Sequence, residues 1–187
     1  MASRHKRSEP TPSHLVLVSE IVQQLGALGL EPVLVGGMVL VLLGSHRVTR
    51  DFDFEIGQPG DQLPGALDVC YDRGLALAAQ LNGAREVTAT IGNRRVASAH
   101  LRLDEPGRAF LYNTATGLRI DVLFDFPVPA QELAGRSLSA RTPARALRVA
   151  SAPDLLKLKK IACSNRSLST DDQDIAFLES RRNLPRD

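Results

Sequence analysis

Apolar residues recur at Leu15, Val18, Ile21, Val22 and Leu25, a three- and four-residue spacing that marks one face of a helix from Ser13 to about Leu28. Gly26 and Gly29 are its stop signals, and Glu31-Pro32 favours extended chain. Val33-Leu34-Val35 reads as a short, fully apolar strand of the kind found at the centre of a sheet. Gly36-Gly37 turns the chain, Met38 to Leu43 reads as a buried helix ending at Gly44, and Ser45 to Arg50 as a polar loop. Asp51 to Ile56 is a second strand, closed by Gly57 and Pro59. Residues 61–82 carry Leu63, Leu67, Cys70, Leu75 and Leu81 and read as a helix that Gly74 weakens in the middle.

From Glu86 to Leu103 the pattern changes to alternation, with Gly92-Asn93 as a hairpin turn. A second hairpin joins Phe110–Tyr112 to Leu118–Phe126 through the turn Asn113–Gly117. In its later strand Ile120, Val122 and Phe124 share one face, and Arg119, Asp121, Leu123 and Asp125 the other. Residues 127–150 read as a loop-like connector, basic through Arg136, Arg141, Arg145 and Arg148. Ser151 with Asp154 opens a helix as a capping box does, and a last helix runs from about Thr170 to Arg181.

Composition adds bounds rather than direction. The 187 residues suit one domain or one with a small appendage. Aromatics make up 4% and there is no Trp, so the core is aliphatic. A net charge of +2, from 23 basic and 21 acidic residues, is too balanced to argue for bulk polyanion binding. Cys70 and Cys163 have neither metal-ligand spacing nor a disulfide framework, which points to a reducing cytoplasm. The longest apolar run, Val33 to Leu43, is too short to span a bilayer. The polar stretch 1–12 reads as a disordered arm, 13–130 as the core, and 131–187 as a basic connector followed by C-terminal helices.

The chemistry concentrates in one stretch. Two glycines, Gly36 and Gly37, are followed after thirteen residues by Asp51-Phe52-Asp53-Phe54. On a strand, Asp51 and Asp53 face the same way, and two carboxylates side by side repel unless a cation lies between them. Oxygen-only ligation points to Mg²⁺ or Mn²⁺. The glycine pair allows a phosphate to approach the backbone, and equally it is a tight strand-to-helix turn. Asp121, a carboxylate in an otherwise apolar strand, is the third candidate ligand. Arg47 and Arg50 either neutralise Asp51 and Asp53 or hold triphosphate oxygens. Lys157, Lys159, Lys160 and Arg166 read as a solvated helix face, with Lys159 also able to reach nucleotide phosphates. Asp171, Asp172 and Asp174 suit the N-terminus of the last helix.

Val35-Gly36-Gly37, Asp51-Phe52-Asp53-Phe54 and the downstream Asp121 resemble the DNA polymerase beta-like nucleotidyltransferase superfamily. The fuller run His46-Arg47-Val48-Thr49-Arg50-Asp51-Phe52-Asp53 is most similar to AbiEii-type toxins and related bacterial nucleotidyltransferases. So is the tail Ala150-Ser151, Asp154-Leu155-Leu156, Lys159, Arg166, Asp171-Asp172 and Asp174-Ile175, which brings the resemblance to roughly residues 15–180. It implies an α+β fold, a small mixed sheet flanked by helices with a helical C-terminal part. It implies Asp51, Asp53 and Asp121 as ligands of Mg²⁺ or Mn²⁺, with Asp121 also helping to activate the acceptor hydroxyl. Gly36 and Gly37 would cradle the triphosphate, and Lys159 would contact nucleotide or acceptor. The implied reaction moves a nucleoside monophosphate from an NTP to a hydroxyl, on tRNA for a toxin paired with an antitoxin protein, or on an antibiotic or other small metabolite. A non-catalytic NTP-binding module is the reading from outside enzymology.

Overall fold

The computed structural model describes residues 12–83, 86–103, 107–125, 127–165 and 169–182. Residues 1–11 of the arm expected over 1–12, and Arg166, lie outside the described residues, and Pro12 already belongs to the first helix. Helix α1 (Pro12–Ala27) buries Val18, Ile21 and Leu25, the predicted face. Strand β1 (Val33–Val35) is buried at every position, and α2 (Gly36–Leu42) follows it with no intervening loop. Strand β2 (Asp51–Ile56) comes next, then a single 3₁₀ turn at 60–62 and α3 (Leu63–Tyr71).

Here the chain departs from the expected long helix over 61–82. Gly74 takes φ +75°, and Leu75 donates its N–H to the Cys70 carbonyl while Gly74 donates to Tyr71. That pattern is a left-handed helix stop. The glycine therefore ends α3, and the rest of the segment becomes β3 (Ala76–Leu81). Apolar spacing alone does not separate a helix from a helix followed by a strand.

The expected hairpin over 86–103 is half right. Strand β4 (Val87–Ile91) forms, but α4 (Arg94–Leu103) takes the place of its partner. The Asn93 side-chain oxygen accepts from the N–H groups of Arg95 and Val96, so Asn93 caps a helix rather than turning a hairpin. Ala97 and Leu101, four apart, are the buried face. The second hairpin forms as expected from β5 (Arg108–Tyr112) and β6 (Arg119–Phe124).

The 127–150 segment is more ordered than a connector. It holds α5 (Ala130–Arg136), β7 (Leu138–Arg141) and β8 (Ala146–Val149). The strand β8 alternates, with Leu147 and Val149 buried and Arg148 outward, a four-residue signal that the surrounding arginines hide. It pairs in parallel with β1 through Leu34 and Val149, so the sheet continues across the expected division at 130. Helices α6 (Ala152–Asn165) and α7 (Ser169–Arg182) end the described chain as predicted. Ser151 and Asp154 exchange the cap bonds expected of them.

The fold is α+β, as the resemblance implies, but its sheet is larger than expected: among the described residues it has eight strands in the order β4-β3-β5-β6-β2-β1-β8-β7. The central pair β2 and β6 runs parallel, and β1 runs antiparallel to β2. That arrangement places the end of β1, the start of β2 and the start of β6 side by side. Among the described residues, no helix is long and apolar enough to cross a membrane.

Glu55 continues the Asp51–Asp53 face of β2 into the core. It is fully buried and neither carboxyl oxygen has a hydrogen-bond partner among the described residues. Burial pushes its pKa up to about 8; the Val128 backbone lowers it slightly without a bond of normal geometry, and the Asp125 charge raises it further. The folded state therefore holds this proton where the unfolded chain has released it. The contribution of Glu55 to stability is greatest below about pH 4.5 and falls as pH rises to about 8, with a slope of roughly 1.4 kcal/mol per unit. Glu55→Gln removes the titration, and urea unfolding across this window should show the slope flattened by that amount. An unchanged slope would mean that Glu55 has found a partner.

Candidate active site

Gly36 sits at φ +70° where β1 becomes α2. A Cβ built on it would lie 2.2 Å from Asp53 Oδ2, and one on Gly37 would lie 2.6 Å from Arg47 Nε. The two missing side chains thus make room for a carboxylate and a guanidinium over the turn. Gly36 answers both to its positive φ and to this crowding. The sequence leads one to expect a phosphate against this pair; in the structure their freed space is taken first by the protein's own charged groups.

Asp53 lies at the centre. Across the sheet it is in register with Val35 on one side and Asp121 on the other. Burial, then the charges of Asp121 and Asp51, push its pKa up to about 6, against the pull of Arg108 and Lys159. Asp121 is buried and both its oxygens are engaged. Arg119 donates from Nε to Oδ1 at 2.8 Å and from Nη2 to Oδ2 at 3.0 Å, and Arg108 donates from Nη2 to Oδ2 at 3.0 Å. Both guanidinium groups lie over the Phe110 ring, Arg108 at 4.5 Å and Arg119 at 5.0 Å from its centre. Among the described residues no group of three or more His, Cys, Asp or Glu side chains has the arrangement of a metal site.

Lys159 is not on a solvated face. Its neighbours Lys157 and Lys160 are exposed, but Lys159 is buried, with its ammonium 3.2 Å from Asp171 Oδ1 and 2.6 Å from Asp174 Oδ2. Asp174 also pairs with Arg47 Nη1. Asp171 and Asp174 thus turn inward to a cation network instead of simply capping α7. A lysine whose aliphatic neighbours Leu155, Leu156 and Leu158 pack inward is the signal that sequence offers for this.

A cavity of about 360 Å³ opens between these groups. Gly36, Gly37, Arg47, Asp53, Arg108 and Lys159 supply its polar wall, and Leu123, Leu155, Leu158 and Ile161 its apolar one. Five of the eight expected residues, Gly36, Gly37, Arg47, Asp53 and Lys159, therefore share one cavity. Asp121 touches it through Arg108. Arg50 and Asp51, both half-buried at the start of β2, are not in its lining. His46 is exposed in the loop before them. Arg108 is absent from the sequence expectations, and Arg119 enters them only by sharing a face with Asp121. Arg119 reaches Asp121 along β6 itself, two residues away, whereas the pairing of Arg108 with Asp121 needs the β5–β6 register, which sets Phe110 opposite Asp121.

Residues 17–187 match the family model described as nucleotidyl transferase AbiEii toxin, type IV toxin–antitoxin system. Among solved structures the fold is similar to the lincomycin-bound lincosamide antibiotic adenylyltransferase LnuA, at 15% identity and TM-score 0.57, over 92% of this chain and 99% of that one. It is also similar to ANT(2″)-Ia in complex with adenylyl-2″-tobramycin, at 13% identity and TM-score 0.56, over 92% and 91% of the two chains. A nucleotidyltransferase-like protein from Paracoccidioides brasiliensis aligns at 18% identity and TM-score 0.56, over 89% and 74%. No curated protein sequence matches significantly. At these identities the structural likeness speaks for the fold.

Proposed function

Because the chain belongs to the AbiEii nucleotidyltransferase family and is by that membership a nucleotidyltransferase, we propose that it transfers a nucleoside monophosphate from an NTP to an RNA hydroxyl, with a divalent metal ion, in the cytoplasm. The observation that carries this reading is Asp53, set between the glycine turn and Asp121 at one wall of the cavity. The donor chemistry fits Mg²⁺ or Mn²⁺. Asp51, Asp53 and Asp121 offer oxygen only, and the raised pKa of Asp53 reflects burial and carboxylate repulsion that a cation would relieve. Asp53 and Asp51 would hold the ion, joined by Asp121 when one of its guanidinium partners gives way. When bound, the ion would neutralise triphosphate charge and ease loss of the acceptor proton.

The chain's own groups supply positioning. Gly36 and Gly37 give Asp53 and Arg47 room to lie over the turn, so triphosphate oxygens would meet the Arg47 guanidinium there. Lys159, held by Asp171 and Asp174, would contribute positive potential from the far wall. Arg50 would stand at the entrance to the phosphates. The acceptor oxygen would attack the α-phosphorus, pyrophosphate would leave, and the Asp121 carboxylate would take the hydroxyl proton. The toxin description of the family supports tRNA as acceptor and an antitoxin protein as partner. The adenylyltransferase folds of LnuA and ANT(2″)-Ia support a small-molecule acceptor as the second reading.

The test is incubation with each α-labelled NTP, Mg²⁺, total RNA, protein and small metabolites. Label should enter the RNA fraction and disappear with Asp53→Asn. Label confined to low-mass products would replace RNA by the small-molecule acceptor. Nucleotide binding in a calorimeter, without label in any fraction, would favour a non-catalytic module.

A further inference from the structure

The two arginines on Asp121 are not held alike. Arg119 grips both carboxylate oxygens from two nitrogens, and its side chain is only 15% exposed. Arg108 makes one bond, from Nη2 to Oδ2, and its side chain is 37% exposed. Arg108 also has space around it. It lines the 360 Å³ cavity beside Asp53 and a second cavity, of about 260 Å³, beside His100 and Phe110. The Phe110 ring beneath it, 4.5 Å from the guanidinium, offers a flat, attractive surface.

Electrostatics then sets a competition. A divalent ion on Asp53 and Asp121 and a guanidinium on Asp121 Oδ2 both answer the same negative charge, and they repel each other. Arg119, forked and more deeply buried, is the costlier of the two to move. We propose that Arg108 is the side chain that a divalent ion displaces from Asp121, and that the released guanidinium then holds a phosphate oxygen of the nucleotide in the adjoining cavity. Arg108 thereby neutralises Asp121 in the metal-free enzyme and clamps substrate in the loaded one. This makes it a positioning residue that links metal entry to nucleotide capture, and it rests on the metal role of Asp53 and Asp121 proposed above.

The test is Mn²⁺ titration by calorimetry and electron paramagnetic resonance, followed by inorganic pyrophosphate titration at saturating Mn²⁺. Arg108→Met and Arg108→Gln should bind Mn²⁺ about tenfold tighter and pyrophosphate about tenfold weaker, each the equivalent of one charge-assisted hydrogen bond. Arg108→Lys, which keeps the charge, should return both values toward wild type. A merely structural role would move both affinities in the same direction or neither. Mn²⁺ binding equal to wild type in the Met and Gln variants, with Asp53→Asn still weakening it, overturns the exchange and leaves the metal reading standing. Wild-type protein that binds no Mn²⁺, or binds it equally with Asp53→Asn, overturns both.

Discussion

Asp53→Asn is expected to lower nucleotidyl transfer by about a thousandfold or more, the scale of removing a central charge-stabilising group, while raising the melting temperature. The two effects have one origin. Asp53 carries its charge at neutral pH in a place where burial, Asp121 and Asp51 all oppose it, and Arg108 and Lys159 offset only part of that. A pKa raised to about 6 means that the folded state resists ionisation, so the penalty is absent below about pH 3.8 and complete above about pH 6. Asparagine removes it, for a gain on the order of 3 kcal/mol, or about 6–12 °C. Melts of wild type and variant in chelator should therefore diverge at pH 7.5 and converge at pH 4. Transfer within tenfold of wild type would remove Asp53 from the reaction. A variant that melts lower would show that its carboxylate is a structural asset.

Lys159→Met should be the most destabilising change among the charged residues of the site. It leaves Asp171 and Asp174, 2% and 5% exposed at their side chains, without the ammonium they share. Removing one partner of a buried ion pair strands the other charge, at a cost of about 3–5 kcal/mol. Asp174 keeps its pairing with Arg47. Urea unfolding at pH 7 reads the loss directly. Adding Asp171→Asn to the Met variant should recover part of it, since one of the two buried carboxylates is then neutral. A loss below about 1 kcal/mol would mean that water reaches these carboxylates.

The parts of the fold that announce themselves in sequence are those whose period is long or whose punctuation is unambiguous. α1, β1, β2, the β5–β6 hairpin and the two last helices belong here. The misreadings share a cause: a glycine or asparagine whose role is decided by the residues after it. Gly74 closes a helix and Asn93 opens one, although each stands in a pattern that fits another element equally well. Strand β8 is four residues long, too short for alternation to stand out among arginines. At the site, residue types are legible because paired carboxylates and paired glycines are rarely neutral choices. Partners are not. The contacts Arg47–Asp174, Lys159–Asp171 and Arg108–Asp121 need tertiary placement, and nothing local in the chain reports it.

The Arg47–Asp174 contact spans 127 positions of the sequence. It joins the loop before β2 to the last helix, and β8 docks on β1 over a comparable separation. Contacts this remote form late, because a long loop must close before they repay its entropy. On the ribosome, the glycine turn and the carboxylates emerge well before the helix that completes their charge balance. A nascent chain therefore carries most of its site without the network that seats Arg47 and Lys159. Assembly of the cavity therefore waits until α7 has been made, which gives a nucleotidyltransferase of this build a delay before its chemistry begins.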